Sequence, residues 1–210
     1  MESFLASAGL APLLASAFTL WGSPVTWLEI VAFVLSLAMV AANMRVHPVA
    51  WPLAITASVL YGVLFAHSKL YGEAMLQLFF VTVAFWGWWQ WLRGTGSDGA
   101  KLRVHRLGQR GALAAVAATF AAWPLAGWLL ARATDSDVPY LDALATVGSV
   151  TGQVLLGRKV LENWIAWLAV NVFSVGLFAV KGLWLTVVLY ALFAVLSVAG
   201  WRAWRQRLGA

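Results

Sequence analysis

The chain has 210 residues, 62% of them hydrophobic and 10% charged, with a formal net charge of +6 and no cysteine. So apolar a chain excludes a soluble globule, because too few polar side chains remain to face water. The missing thiols exclude a disulfide framework and a thiolate metal site, and the basic residues lie in short clusters between apolar stretches, which is not the pattern of a nucleic-acid-binding face.

The N-terminus, MESFLASAGLAPLL, has no basic leader and carries a proline inside its apolar run, so it makes a poor secretory signal. Residues 3–20 are expected to form a lipid-facing or interfacial apolar helix, with a true span as the rival reading that would move the N-terminus to the other side. Crossing a bilayer takes about 20 mostly apolar residues per helix. Seven stretches meet that need, at residues 26–44, 48–66, 70–92, 111–132, 138–156, 161–179 and 183–204. The expected protein is therefore an all-α integral membrane protein of seven transmembrane helices. Its parts are an N-terminal interfacial helix over 1–25, a three-helix unit over 26–92, a basic linker and connecting transmembrane helix over 93–137, and a second three-helix unit over 138–205. Of the 14 Lys and Arg residues, all but Lys69, Arg132 and Lys181 fall on one side of the membrane in this scheme. The positive-inside rule makes that side the cytoplasm, with the N-terminus outside and the C-terminus inside.

The two three-helix units read as copies. LEIVAFVLS at Leu28 aligns with LDALATVGS at Leu141, 113 positions later, and that register then holds without a gap. Arg45 falls on Arg158, Trp51 on Trp164, LFA at Leu64 on LFA at Leu177, and GWWQW at Gly87 on GWRAW at Gly200. A directly repeated three-span unit would invert in the bilayer. The fourth span restores its orientation and makes the copies parallel, a 3+1+3 arrangement. Parallel repeats are one of the standard ways to build an alternating-access carrier, with the substrate site near the midplane between them. The first three spans would then rock against the last three, with backbone give easiest at Pro52, Gly62, Gly148 and Gly152.

Polar side chains are expensive inside a bilayer and normally face a bundle interior or a wet cavity, so their spacing maps a lining. In the fifth span Asp142, Thr146, Ser149 and Gln153 share one helical face, and in the first span Glu29, Ser36 and Asn43 do so. The third span aligns Glu73, Gln77 and Phe80, and the sixth aligns Trp164, Trp167 and Asn171. An amide at mid-membrane supplies donors and an acceptor. An indole beside it supplies a flat face, suited to a ligand with an aromatic ring and hydroxyls, and better still to a cationic ring. Each feature also has a plainer explanation. Most of the 14 tryptophans sit near span ends, where an aromatic belt accounts for them. Lone Ser or Thr residues such as Ser36, Thr56, Ser58, Thr146 and Ser149 often bond a carbonyl one turn back, and Asn171 or Gln77 could serve only to join helices.

No catalytic constellation is present in the sequence. His47, His67 and His105 are scattered through loops, and there is no HExxH pair, GxSxG elbow or Walker glycine loop. No cofactor and no metal site are therefore expected. A membrane enzyme would need titratable groups clustered at one depth, and a sensor a soluble output module, and the sequence carries neither.

Four segments, WPLAITASVLYGVLF from Trp51, KLYGEAMLQLFFV from Lys69, FWGWWQW from Phe85 and WIAWLAVN from Trp164 to Asn171, resemble the PnuC family of bacterial vitamin transporters. The sixth-span signature of that family is WxxWxxxN or D, and the resemblance runs from Trp27 to Trp204, although the region before the first span is short here. It implies a 3+1+3 fold like that of a duplicated relative of the SWEET sugar carriers. It also implies passage of nicotinamide riboside across the inner membrane by facilitated diffusion, with a cytoplasmic kinase trapping the nucleoside by phosphorylation. The implied signature residues are Trp164, Trp167 and Asn171, with Gln77 and Gln153 as the nearest polar partners and Phe80, Ser149 and Glu73 completing the expected substrate lining. Thiamine, also a cationic ring, stays open as a substrate, and riboflavin is a third, less favoured option because its larger neutral ring would need a roomier slot. The expected partners are thus the vitamin, the bilayer and a kinase, without nucleic acid. Self-association into a homo-oligomer is compatible with all of this.

Overall fold

The computed structural model describes residues 11–20, 22–67, 71–96, 99–134, 138–180 and 184–208. Seven helices dominate these residues: α1 (Trp27–Met44), α2 (Ala50–His67), α3 (Tyr71–Arg93), α4 (Gln109–Ala133), α5 (Pro139–Gly157), α6 (Asn163–Val180) and α7 (Trp184–Arg205). At about 1.5 Å per residue, helices of this length match the hydrocarbon core of a bilayer. Four apolar segments, α1, α2, α4 and Val187–Arg205 within α7, are long and apolar enough to cross a membrane on length and composition alone. The polar residues expected to line a site fall on the helices between these, with Gln77 on α3, Thr146, Ser149 and Gln153 on α5, and Asn171 on α6.

The N-terminal segment departs from expectation. Residues 1–10 lie outside the described residues, and in place of a helix reaching residue 20 the chain makes one 3-10 turn, Ala11–Leu14. An antiparallel hairpin follows, of β1 (Ser16–Leu20) and β2 (Ser23–Thr26), with Phe18 opposite Val25 and an irregularity between Ser16 and Phe18. Gly22, at φ +83°, supplies the left-handed residue of its two-residue turn. Phe18 and Thr19 within SAFTL favour extended backbone, a local preference that the apolar composition concealed. Thr26 then closes the hairpin and caps α1, its Oγ1 accepting the Glu29 N–H at 3.2 Å.

The repeat is visible in the backbone itself. Shifted by 113 residues, α2 falls on α6 end to end, and α1 and α3 fall on α5 and α7 within a residue. Val46 (φ 56°) and Lys159 (φ 54°), also 113 apart, are the non-glycine residues with positive φ among the described residues. The turns around them repeat bond for bond. His47 N–H to Ala42 O (3.0 Å) matches Val160 N–H to Leu155 O (2.9 Å), and Trp51 N–H to Pro48 O (3.1 Å) matches Trp164 N–H to Leu161 O (3.2 Å). A β-branched residue in the left-handed region is strained by about 1–2 kcal/mol. The same turn in both copies shows that the tertiary frame imposes it.

The chain divides into two compact units, one of Met1–Asn43 and His47–Phe85 and the other of Met44–Val46 and Trp86–Ala210. The division runs inside α3, so its last two turns cluster with the second unit instead of with the helix that leads into them. The reason is aromatic packing. Trp86 covers Gly157 at the end of α5, and Trp91 donates its indole N–H to Leu156 O at 3.1 Å. Trp91 also lies 6.1 Å from Trp204 of α7, which in turn meets Trp164 edge-on at 5.7 Å.

In the second unit the linker after α3 is docked. His105 N–H donates to Lys159 O (3.2 Å) and Leu161 N–H to His105 O (2.8 Å), while Glu162 accepts the Leu107 N–H at 2.8 Å. Lys159 Nζ donates to Leu102 O at 3.1 Å and stands 5.2 Å from the Trp91 ring. Burial, and secondarily the charge of Lys101, pull the Lys159 ammonium below its usual pKa. The outer face of α4 presents Leu113, Val116, Phe120, Leu125 and Leu129, as a lipid-facing helix should. Its inner face meets α5 through Thr119 and Thr151 hydroxyls 2.7 Å apart.

Candidate functional site

Helices α5, α6 and α7 of the second unit pack side by side, and the polar side chains of the Trp164–Asn171 signature fall among them. Two glycines one turn apart make this possible. A β-carbon at Gly152 would stand 3.0 Å from Trp167 Cε2 and 3.2 Å from its Nε1, and one at Gly148 would stand 2.7 Å from a Val170 methyl. The α5 backbone is thus a shallow seat for α6, with the Trp167 indole resting on it. Gly148 and Gly152 are packing surfaces, not points of free backbone give, and Gly62 has the same character, facing Gln77 Cβ at 3.4 Å. Next to the seat on α5 are Ser149 and Gln153, both buried.

Asn171, midway along α6, is 3% exposed. Its Nδ2 donates to Ser197 Oγ of α7 at 3.2 Å, and Ser197 Oγ donates to Phe193 O one turn back at 2.7 Å. Ser174, one turn beyond Asn171 on α6, is also buried. Ser197 and Ser174 lay outside the expected site. The signal for Ser174 was available, since it continues the Asn171 face at a spacing of three, but Ser197 is a lone serine in an apolar helix and gave none.

The expected residues separate by surroundings. Trp167 packs on Gly152 of α5, whose sequence neighbour Gln153 is buried, and the buried Asn171 one turn further along α6 turns to Ser197 of α7. Ser149 lies beside them, but its hydroxyl donates to Ala145 O at 2.8 Å, a bond that its repeat mate Ser36 makes with Ala32 O at 2.9 Å; this is the plainer of the two explanations weighed for it. Trp164, 3% exposed, is enclosed by Trp204 and Gly200, its ring carbons 2.5 Å from where a Gly200 β-carbon would be. Its indole N–H has no hydrogen-bond partner among the described residues. Trp51, its mate in the first copy, is equally buried, so this tryptophan pair belongs to the shared frame. In the first unit Gln77 is half-buried on α3, and Phe80 is half-buried beside Phe79 (ring centroids 6.0 Å apart). Glu73 falls on the first turn of α3, and its side chain lies outside the described residues.

The repeat sorts these positions further. Frame residues recur in both copies: Arg45 with Arg158, Trp51 with Trp164, Ser36 with Ser149. The polar cluster does not. Gln153, Trp167, Asn171, Ser174 and Ser197 of the second copy correspond to Val40, Ala54, Ser58, Tyr61 and Ala84 of the first. No group of three or more His, Asp or Glu side chains that could hold a metal occurs among the described residues.

A helical integral membrane chain in which one copy of an internal repeat carries two buried amides and a half-buried indole is, by class, a multi-pass membrane transporter. It belongs to the nicotinamide mononucleotide transporter family, whose family model matches residues 26–206. It is similar to the riboflavin/roseoflavin transporter RibM of Streptomyces davaonensis, at 30% identity over 92% of this chain and 91% of that one. It is also similar to the nicotinamide riboside transporter PnuC of Escherichia coli, at 27% identity over 69% and 71% of the two chains. A crystal structure of the vitamin B3 transporter PnuC superposes with a TM-score of 0.71 at 27% identity, over 86% of this chain and 81% of that one. The chain is therefore an all-α integral membrane transporter of the PnuC type and not an enzyme.

Proposed function

We propose that the protein carries nicotinamide riboside across the bacterial inner membrane by facilitated diffusion, N-terminus outside and C-terminus cytoplasmic, with phosphorylation by a cytoplasmic kinase preventing return. The observation that carries this reading is the Trp167, Asn171 and Gln153 cluster, which the repeat does not duplicate. An indole face attracts a cationic pyridinium ring, and the two amides offer donors and acceptors to a carboxamide and ribose hydroxyls. Ser149 and Trp164 are proposed to hold this second-copy wall in shape. The orientation rests on the distribution of Lys and Arg between loops.

A second reading, riboflavin, is favoured by the match to RibM along nearly the whole of both chains. Riboflavin shares with nicotinamide riboside a flat nitrogen heterocycle and a ribose-derived polyol, but its ring is larger and neutral. Calorimetry of the purified protein with nicotinamide riboside, riboflavin and thiamine separates the readings, with Asn171→Ala and Trp167→Ala measured beside the parent. Binding of nicotinamide riboside that either substitution weakens supports the proposal. Binding of riboflavin or thiamine instead replaces the substrate and keeps the site.

A further inference from the structure

The Asn171 amide does not stand alone. Ser197 Oγ has one hydrogen and gives it to Phe193 O at 2.7 Å. Toward Asn171 it can therefore act only as an acceptor, and the atom it accepts from is Nδ2, at 3.2 Å. Chemistry thus sets the orientation of the amide. If the amide flipped, Oδ1 would face the hydroxyl, Ser197 would have to turn its hydrogen away from Phe193, and the pair would hold one hydrogen bond instead of two. One net hydrogen bond biases the orientation about fivefold. The favoured orientation leaves Oδ1 and the second amide hydrogen unengaged by the described residues.

We infer that Ser197 is a positioning residue for substrate, fixing the Asn171 amide so that Oδ1 is presented to a hydrogen-bond donor on the ligand. Helix packing alone does not require the pair. In the first copy the same two positions, between helices equivalent to α6 and α7, are Ser58 and Ala84, a combination that cannot orient an amide. The bond exists only in the copy that carries Trp167 and Gln153, which is where orientation of a polar group would matter to a ligand. The inference rests on the reading of Asn171 as a substrate contact, and it names the polarity the ligand must offer there.

Two measurements test it. The first needs no ligand: in the full chain labelled with ¹⁵N-asparagine, the Asn171 side-chain resonances, identified by their loss in Asn171→Ala, should show one amide hydrogen protected from solvent exchange. Ser197→Ala should remove that protection and Ser197→Thr restore it. The second is affinity for nicotinamide riboside, expected to fall about fivefold in Ser197→Ala and to stay within twofold of the parent in Ser197→Thr. An unprotected Asn171 amide in the parent, or protection that survives Ser197→Ala, overturns the inference whatever vitamin binds. A protected amide in a parent that binds riboflavin or thiamine but not nicotinamide riboside overturns the substrate and leaves the positioning role standing, to be read then as the Ser197→Ala effect on that vitamin. Protection lost with no change in affinity for the bound vitamin also overturns it, because the orientation would then serve packing alone.

Discussion

Replacing Gly152 with alanine tests whether the Trp167 indole is a wall of the binding site. The added β-carbon would stand 3.0 Å from Trp167 Cε2, whereas carbon atoms prefer roughly 3.5–4.0 Å, so the ring must retreat by roughly 0.5–1 Å. Overpacking of this kind costs about 1–3 kcal/mol, and alanine in place of a mid-helix glycine returns about 1 kcal/mol. Net stability should therefore fall by about 0–2 kcal/mol, a modest change. Affinity should suffer more clearly. An aromatic contact worth about 0.5–1.5 kcal/mol, weakened or lost, corresponds to a drop of roughly two- to twelvefold. Gly176→Ala on α6 is the matched control, because nothing lies within 4 Å of the position its β-carbon would take; it should stabilise the protein and leave affinity unchanged. Calorimetric binding of nicotinamide riboside and thermal unfolding in the same detergent give both numbers. If Gly152→Ala binds within twofold of the parent, the indole is a packing element only and the site lies elsewhere.

The paired left-handed turns should respond with opposite sign. Val46→Gly relieves the strain of a β-branched residue at φ 56° and should raise thermal stability by about 0.5–1 kcal/mol, net of the added freedom of the unfolded chain. Lys159→Gly, at the same backbone position in the second copy, loses the bond to Leu102 O and the Trp91 contact and should lower it. Glu162→Ala removes the acceptor of the Leu107 N–H, a charge-assisted bond worth about 1.5–3 kcal/mol, and should speed tryptic cleavage at Arg103 and Arg106 by about tenfold. The Arg106–Glu162 pair, 3.7 Å apart with Arg106 largely exposed, adds little to that. Because docking lowers the Lys159 pKa from its ordinary 10.5, the undocked linker binds more protons between the lowered value and 10.5. Raising pH through that window should favour docking, and below it docking should not change with pH, because Lys159 is then protonated in both states. With no native cysteine, a spin label on Val104→Cys reads this directly as falling mobility, and the dependence should vanish in Lys159→Gln.

Helix positions and the repeat were legible in the sequence because both are carried by residue type and spacing. The seven apolar stretches lie within about two residues of the helices, and the 113-residue register extends to individual turn hydrogen bonds. The N-terminal hairpin was not legible, since SAFTL and SPVT are as apolar as an interfacial helix and only the pairing across Gly22 distinguishes them. Trp167, Asn171 and Gln153, the residues proposed for the site, stood out in the sequence because a polar or aromatic residue inside a span is costly and therefore informative. Trp164 carries the same sequence signal, yet its surroundings are Trp204 and Gly200. Spacing says which helical face a residue is on, not which neighbour fills the space in front of it. Ser197 shows the converse, a residue whose importance comes wholly from a partner 26 positions away.

Duplication offers a way to read function that neither copy gives alone. Positions kept identical across 113 residues, such as Trp51 with Trp164, Ser36 with Ser149 and Arg45 with Arg158, satisfy demands that both three-helix units share: the tight turn, the buried indole and the hydroxyl folded back onto its own helix. A demand that only one unit meets cannot be architectural in that sense. Gln153, Trp167, Asn171 and Ser197 place two amides, an indole and a hydroxyl where the first unit has Val40, Ala54, Ser58 and Ala84. Burying that much polarity in a membrane helix bundle is unfavourable unless something uses it. A ligand that is flat on one side and hydrogen-bonding on the other is asymmetric, and a site built on a symmetric frame can match it only by departing from the symmetry. If the departures serve the proposed substrate, exchanging Val40 or Ala54 for the second-copy residue should leave binding unchanged, while the reverse exchange, Gln153→Val or Trp167→Ala, should weaken it.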